Sequence, residues 1–107
     1  MEEIIISYRV RNFLRELITI LYQEEYFGFL ESAEEYVNNL IDEILQLSLK
    51  THHHTPEQLK KYGSYYVKIK GSKRTMWYVF FEKHENRYLI EFITNNHTPL
   101  SEYLNQL

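Results

Sequence analysis

The stretch that most constrains the fold runs from Gly63 to His97, where three strand-like runs are separated by two short turns. Gly71-Ser72 is a two-residue hairpin signal, because glycine readily adopts the positive φ that type I′ and II′ turns require. Glu85-Asn86 forms the tip of the second hairpin, and Asn86 is the residue there best suited to the left-handed region. The stretch therefore predicts a three-stranded antiparallel meander.

The first and middle runs differ in how their side chains alternate. The first has one apolar face and one face with lysines, which is typical of a half-buried strand: Tyr65, Val67 and Ile69 against Tyr66, Lys68 and Lys70. The middle run is apolar on both faces and is predicted to be central: Trp77, Val79 and Phe81 against Met76, Tyr78 and Phe80.

The last run places Tyr88, Ile90 and Phe92 on one face and points Glu91 the other way. Together the three runs predict a sheet that packs one face on helices. The other face is expected to be partly open and to carry four charged side chains, Lys68, Lys70, Arg74 and Glu91.

The segment before the meander predicts a strand followed by a helical hairpin. Residues 3–9 alternate as a strand at or near a sheet edge, with the start of a long first helix as the alternative. A helical period begins at Val10 and is expected to end near residues 26–28, capped by Gly28. A second helix is predicted from Ser32, where Ser32 and Glu35 form a capping box. The short link makes the two helices antiparallel.

Three adjacent histidines, His52 to His54, precede a short helical segment. We interpret them as a solvated loop, because consecutive side chains diverge and no cysteine or second ligand motif supports a metal site. Partial protonation would let them add positive charge. Thr55 and Pro56 are predicted as N-cap and N1 of the following segment, which Gly63 closes.

The C-terminal segment repeats the Thr-Pro pattern. Thr98 and Pro99 predict another N-cap and N1 pair, and hence a terminal helical turn. Tyr103 and Leu104 are expected to dock this turn on the sheet.

The chain has 107 residues, of which 44% are hydrophobic, and this predicts one folded domain spanning residues 1–107. It lacks cysteine, which excludes disulfides, thiolate metal sites and a cysteine nucleophile and fits a reducing compartment. No apolar run is long enough to cross a bilayer, and the acidic N-terminus does not resemble a signal peptide. We therefore expect a cytoplasmic protein with no membrane association and no cofactor.

Charge is distributed unevenly along the chain. The net charge is −3, yet residues 50–74 carry seven basic side chains and only one acidic side chain, Glu57. Residues 1–49 carry ten acidic and three basic side chains. The basic segment can therefore present a local positive patch for an anionic ligand, and the alternative is a solvated face.

The order strand, helical hairpin, meander and terminal histidine resembles the RelE/ParE superfamily of toxins from bacterial toxin–antitoxin systems. The residues that carry the resemblance lie in KYGSYYVKIKGSKRTMWYVFFEKHENRYLIEFITNNH. The family often shows a glycine followed by tyrosine and a basic strand, then an arginine with an aromatic residue three positions later. Here these are Gly63, Tyr65, Tyr66, Lys68, Arg74 and Trp77. A histidine often closes the last strand, as His97 does.

The resemblance implies an α+β domain, with an N-terminal strand and helical hairpin packed on one face of an antiparallel sheet. It also implies an intracellular toxin that an antitoxin protein neutralises. One branch of the family cleaves messenger RNA on the ribosome, and the other acts on DNA gyrase without being a nuclease. A non-catalytic interaction module on the same fold is a further alternative.

Cleavage of RNA by 2′-hydroxyl attack requires charge stabilisation at the phosphate and movement of two protons. On the resemblance, Lys68 and Arg74 would stabilise charge and His97 would act as general acid or base. Glu91 or a lysine with a lowered pKa would take the hydroxyl proton, and the sequence does not choose between them. Substrate contacts would come from Lys70, Lys73, Tyr66 and Trp77. The two aromatic residues, Tyr66 and Trp77, could stack on a base.

An ordinary structural role is the alternative for each of these residues. Arg74 could cap a hairpin, His97 could be held in its turn, and Tyr66 and Trp77 could be core residues. The negative net charge also departs from the basic character of ribosome-dependent nucleases, and this keeps the protein-binding alternatives open.

Overall fold

The structure is a computed structural model that describes residues 2–23 and 30–104. The predicted helices and strands occur in the predicted order and make an α+β fold, and the strand His53–His54 and the 3₁₀ helix Leu47–Leu49 are additional. The regular elements are β1 (Glu3–Ile6), α1 (Tyr8–Gln23), α2 (Leu30–Leu45), β2 (His53–His54), β3 (Tyr65–Lys70), β4 (Met76–His84) and β5 (Arg87–Asn95). Short 3₁₀ helices span Leu47–Leu49, Glu57–Tyr62 and Pro99–Tyr103.

The five strands form one mixed sheet in the order β1-β5-β4-β3-β2. This corrects the antiparallel sheet that the resemblance implied, because β1 is parallel to its neighbour. Strands β3, β4 and β5 are the predicted antiparallel meander, with β4 in the middle. β1 lies at one edge, as predicted, and pairs parallel with β5, with Ile6 opposite Ile90. The sheet therefore joins the two ends of the chain.

The main hydrophobic core lies between the two α-helices and one face of the sheet. The helices bury residues spaced at three and four positions, which is the spacing of one helical face: Val10, Leu14, Leu17, Val37, Leu40 and Ile44. The sheet contributes the predicted apolar face of β3 and β4: Val67, Ile69, Trp77, Val79 and Phe81.

A second, smaller core covers much of the opposite face, where the sequence predicted a partly open surface. Leu59 comes from the 3₁₀ helix Glu57–Tyr62, and Leu104 directly follows the 3₁₀ helix Pro99–Tyr103. Both are buried in one cluster with three aromatic residues of the sheet, Tyr66, Tyr78 and Phe80. Burial raises the pKa of the Tyr66 and Tyr78 hydroxyls. This face is thus more enclosed than predicted, although Lys68 and Lys70 on β3 remain exposed.

A β-bulge changes the alternation of β5. Phe80 pairs with Phe92 whereas the next residue, Phe81, pairs with Ile90, so Glu91 is the extra residue. The prediction that Ile90 and Phe92 share a face is wrong for this reason. Ile90 packs in the main core, and Phe92 packs against the second core.

The first hairpin differs from the predicted two-residue turn. β3 ends at Lys70 and β4 begins at Met76, so five residues, 71–75, form the connection. Gly71 is needed there for space, since a Cβ atom would lie 2.3 Å from the Tyr36 hydroxyl and 2.6 Å from Trp77 Nε1. Gly71 therefore lies in the connection, as predicted, but a glycine is needed there for space and not for a positive φ.

The second hairpin has the predicted two-residue tip at Glu85-Asn86. The positive φ, 56°, falls on Glu85, whereas the prediction placed it on Asn86. Gly63 is the glycine with a positive φ, 154°, and a Cβ atom there would lie 2.8 Å from the backbone nitrogen of Phe81. It ends the 3₁₀ helix Glu57–Tyr62, as predicted.

The predicted helix caps are realised in part. α2 begins at Leu30, so Ser32 lies inside the helix and the capping-box prediction is wrong. The predicted Gly28 cap lies outside the described residues. Pro56, and not Thr55, is the N-cap of the following 3₁₀ helix. Thr98 and Pro99 occupy the predicted N-cap and first-turn positions, but the Thr98 hydroxyl donates to Asn95 O (3.0 Å) instead of capping the helix.

The histidine segment is a short edge strand, which corrects the solvated-loop interpretation. His53 pairs with Tyr66, and His54 pairs with Tyr65, at the end of the sheet. The His52 ring lies edge-on to Phe81 and Tyr88, with centroids 5.0 and 5.7 Å away. Aromatic packing on the sheet, which local sequence spacing does not show, orders this segment.

Within residues 2–23 and 30–104, no helix combines the length and apolar character needed to cross a bilayer.

Candidate functional site

The strongest candidate for a functional site is where the loop 71–75 meets the turn 95–98 at one end of the sheet. Asn96 joins the two segments through its side-chain amide. Its Oδ1 accepts from Met76 N (2.9 Å), and its Nδ2 donates to Arg74 O (3.0 Å). The backbone of Asn96 also donates to Met76 O (3.1 Å). These bonds fix the loop that carries Arg74 relative to the turn that carries His97.

His97 is held from two sides. Its backbone N–H donates to Asn95 Oδ1 (2.9 Å), which stabilises the turn. Its Nε2 atom lies 3.1 Å from Thr75 Oγ1, across the gap between turn and loop. The imidazole is nevertheless exposed, so its other nitrogen can reach a ligand.

A groove of about 690 Å³ opens beside these residues. One wall is apolar and comes from α1 and β4, with Leu17, Ile20, Leu21 and Trp77. The other wall comes from the loop and turn and includes both Arg74 and His97. The structure thus places two of the four predicted catalytic residues, Arg74 and His97, on the same groove.

A second cavity of about 360 Å³ lies on the other side of the loop. It is lined by Lys70, Lys73 and Arg74, together with Ser72, Thr75, Met76 and Asn96. Arg74 borders both this cavity and the groove, so it is the cationic residue common to both.

The cations around the loop are not neutralised by acidic side chains. Lys68, Lys70, Lys73 and Arg74 are exposed and make no ion pair with any described residue. By contrast, Lys50, Lys60 and Arg87 each pair with a glutamate. This end of the sheet can therefore attract an anion despite the negative net charge of the chain.

The remaining predicted site residues lie apart from the groove or are inaccessible. Tyr66 is 0% exposed in the second core, and Trp77 is 2% exposed, with its Nε1 donating to the Tyr36 hydroxyl (3.0 Å). These positions fit packing, which was the alternative for both, and neither ring is free to stack on a base. Glu91 is four positions before Asn95 on β5, or about 13 Å away at roughly 3.3 Å per residue.

Lys68 lies on the face opposite the α-helices, near the histidine strand. Its charge adds to burial, and to the charge of His52, in lowering the pKa of His53. Lys68 and Lys70 are two positions apart on β3, so both side chains are on the same face of the sheet and contribute to one positive surface.

Sequence reasoning missed Thr75, Asn95 and Asn96 as members of the site. Their importance follows from the register of β4 and β5, in which Trp77 is opposite Asn95. That pairing brings the residues just before Trp77 next to those just after Asn95. The Asn-Asn-His sequence at the end of β5 was the available signal, and on its own it predicts only a turn that holds His97.

No group of three or more histidine, aspartate or glutamate side chains within the described ranges is arranged to hold a metal ion. The three adjacent histidines point to different surroundings, as the divergence argument predicts. His52 contacts the main core, and the rings of His53 and His54 lie 5.0 and 5.3 Å from Tyr66 and Tyr65.

Comparisons of the chain with protein-family models, curated proteins and solved structures found no match.

Proposed function

We propose that this protein is a RelE/ParE-like toxin that cleaves RNA in the cytoplasm by metal-independent attack of a 2′-hydroxyl on the adjacent phosphate. The observation that carries the proposal is the joint placement of Arg74 and His97 on one groove, beside cations that no described carboxylate neutralises. The resemblance of residues 61–97 to this superfamily and the observed order of elements also support it.

The proposed chemistry needs two kinds of group, and both are present. In the transition state the phosphate carries extra negative charge, which a guanidinium can stabilise through paired N–H donors. Arg74 supplies that group, with Lys70 and Lys73 in the adjoining cavity. An imidazole can move a proton near neutral pH, and His97 supplies it.

The proposal assigns no chemical step to Glu91, Tyr66 or Trp77. Glu91 is about 13 Å along the strand from the turn at roughly 3.3 Å per residue, and the two aromatic side chains are buried. Lys68 would act at longer range, by attracting the RNA backbone.

A protein ligand is the second candidate, and the apolar wall of the groove favours it. Ile20 is 44% exposed beside Leu17 and Leu21, and aliphatic side chains of this kind suit another protein better than they suit a phosphate backbone. This reading corresponds to a toxin that binds DNA gyrase, or to an interaction module without catalysis.

Induced expression in a bacterial host tests the proposal. Wild-type protein is expected to arrest growth, and co-expression of an antitoxin encoded beside it is expected to restore growth. Arg74→Ala and His97→Ala should each relieve the arrest. Arg87→Ala and His84→Ala are matched controls, because these exposed residues lie at the far end of β4 and β5.

The outcomes separate the candidates. Arrest with new 2′,3′-cyclic phosphate ends on RNA, both lost in the two site variants, is the expected result. Arrest that persists in both variants would exclude the nuclease mechanism and favour a protein target such as gyrase. Absence of arrest by soluble wild-type protein would favour the interaction module.

A further inference from the structure

Thr75 contacts the His97 imidazole where the loop 71–75 meets the turn 95–98, and no sequence pattern indicated a role for it. Its Oγ1 lies 3.1 Å from Nε2 of His97, and the two residues belong to different segments. No hydrogen-bond partner of His97 Nδ1 occurs within the described residues. The ring therefore has one nitrogen held by the protein and one nitrogen available to a ligand.

Resting on the proposed function, we infer that Thr75 is a positioning residue, that its hydroxyl accepts the Nε2 proton of His97, and that Nδ1 is the nitrogen that takes the proton from the RNA 2′-hydroxyl.

The choice of tautomer follows from the hydrogen-bonding capacity of the two groups. A neutral imidazole has one N–H donor and one acceptor nitrogen, and an imidazolium has two donors. If Nε2 carries the proton, its bond to Thr75 persists when Nδ1 is protonated. If Thr75 donated to Nε2 instead, Nδ1 would already carry a proton and could not act as a base.

The backbone around Thr75 restricts where its hydroxyl lies. The carbonyl of Thr75 accepts from the N–H groups of Gly71 (2.9 Å) and Ser72 (3.3 Å), which closes the loop. The next residue, Met76, donates to Asn96 Oδ1 (2.9 Å). Thr75 is thus fixed by contacts that its side chain does not make, and changing the side chain leaves them intact.

The proposed proton path is balanced in atoms and charge. The 2′-oxygen forms a bond to phosphorus as its proton moves to Nδ1, and the bond from phosphorus to the 5′-oxygen breaks. The 5′-oxygen leaves with the bonding pair and takes a proton from solvent, and the other product is a 2′,3′-cyclic phosphate. Nδ1 then releases its proton to solvent, which restores both the neutral imidazole and the solvent. Arg74 faces the phosphate throughout and needs no change in protonation.

Two variants separate the hydroxyl from the shape of the side chain. Thr75→Val keeps the branched shape and removes the acceptor, whereas Thr75→Ser keeps the hydroxyl. Both can be prepared as full-length protein labelled with ¹⁵N in histidine. Loss of one set of signals in His97→Gln assigns the His97 ring among the five histidines.

Long-range ¹⁵N–¹H correlation spectra at about pH 8.5, well above the usual imidazole pKa of about 6.5, report the tautomer without any RNA. We expect the Nε2–H form to dominate in wild type and Thr75→Ser, and a mixture of tautomers in Thr75→Val. We also expect the valine variant to cleave RNA about fivefold more slowly, and the serine variant to retain the wild-type rate within about twofold.

A dominant Nδ1–H form in wild type, or a valine variant with unchanged tautomer and rate, would overturn the inference. If the tautomers are as expected but folded wild-type protein does not cleave RNA, the proposed function fails and the proton path fails with it. In that case the contact between Thr75 and His97 remains as a structural feature, so the two failures are distinguishable.

Discussion

The Trp77 indole donates a hydrogen bond to the Tyr36 hydroxyl over 3.0 Å, and this bond joins the central strand of the sheet to the second helix. Gly71 packs directly against both groups. The hairpin loop that carries Arg74 therefore begins on a surface made by α2 and β4. Its position depends on this contact as well as on the strand pairing.

We expect Gly71→Ala to destabilise the fold by about 1–3 kcal/mol, because the new methyl group would overlap Tyr36 Oη and Trp77 Nε1. Urea denaturation of the two proteins measures the difference. Ser72→Ala is the control, since this exposed neighbour should change stability by no more than about 0.5 kcal/mol. Equal stability of Gly71→Ala and wild type would show that the loop can move away at no cost.

A double-mutant cycle measures the bond between Tyr36 and Trp77. Tyr36→Phe leaves the Trp77 N–H without this partner, and Trp77 is only 2% exposed, so we expect a loss of about 1–3 kcal/mol. Trp77→Phe removes the donor, and the two changes together should cost less than their sum by about 1 kcal/mol. Strict additivity in denaturant unfolding would indicate that the bond contributes nothing.

Asn96 is expected to hold the loop closed. Asn96→Ala removes two hydrogen bonds to the neighbouring segment, one to Met76 N and one to Arg74 O. We expect a loss of about 1–2 kcal/mol in stability and faster hydrogen exchange at the Met76 amide. Asn38→Ala, an exposed change on α2, is the matched control. Unchanged exchange at Met76 would show that the backbone pairing alone closes the loop.

The lysines of the loop should control electrostatic attraction of RNA. Lys70→Glu and Lys73→Glu are each expected to weaken binding of single-stranded RNA and to reduce the magnitude of its salt dependence, by about 0.7 per lost phosphate contact. Lys83→Glu is the control, because it makes the same change in charge at the far end of β4, where Lys83 lies over the Tyr88 ring. Equal weakening by all three would indicate a general effect of net charge.

The histidine strand should make stability depend on pH. Burial, with Lys68 and His52, lowers the pKa of His53 below its usual 6.5, so the unfolded chain binds this proton more readily than the folded protein does. Stability is therefore fully present above about pH 6.5 and falls as the pH drops toward the folded pKa. We expect His53→Gln to reduce the loss in melting temperature between about pH 7.5 and pH 5.

His84→Gln provides the comparison for the histidine strand, because His84 is exposed at the end of β4. It should leave most of the pH dependence in place. If the two variants respond to pH alike, His53 is not the source of the effect.

Much of the fold could be predicted because local patterns determine it. The helical stripes of α1 and α2 and the alternation of β3 and β4 each follow from side chains within one element. The register at Glu91 could not be predicted, because a bulge depends on how two strands meet. The second core was predicted only in part. Leu104 is buried against the sheet as predicted, whereas Tyr103, expected beside it, is 40% exposed. Leu59 was missed because it lies in a short 3₁₀ helix with no periodic pattern of its own.

The site was partly predictable for the same reason. Arg74 and His97 stand out as a cation and an imidazole at the ends of strands, and the structure brings them to one groove. Their supports, Thr75 and Asn96, act across the gap between hairpin and turn, so their roles appear only when both segments are placed. For Tyr66 and Trp77 the sequence left base stacking and core packing both open, because an aromatic residue in a strand has the same local pattern in a core as on a binding surface.

The pairing of β1 with β5 has a consequence for synthesis of the chain. The ribosome makes β1 before its partner strand β5, which follows both helices and the first two strands of the meander. Until β5 is made, β1 has no strand to pair with. The helices meanwhile lack part of the sheet on which they pack. A stop codon or a stalled ribosome before residue 87 would thus leave β1 without its partner strand, so the order of synthesis delays completion of this sheet until β5 has been made.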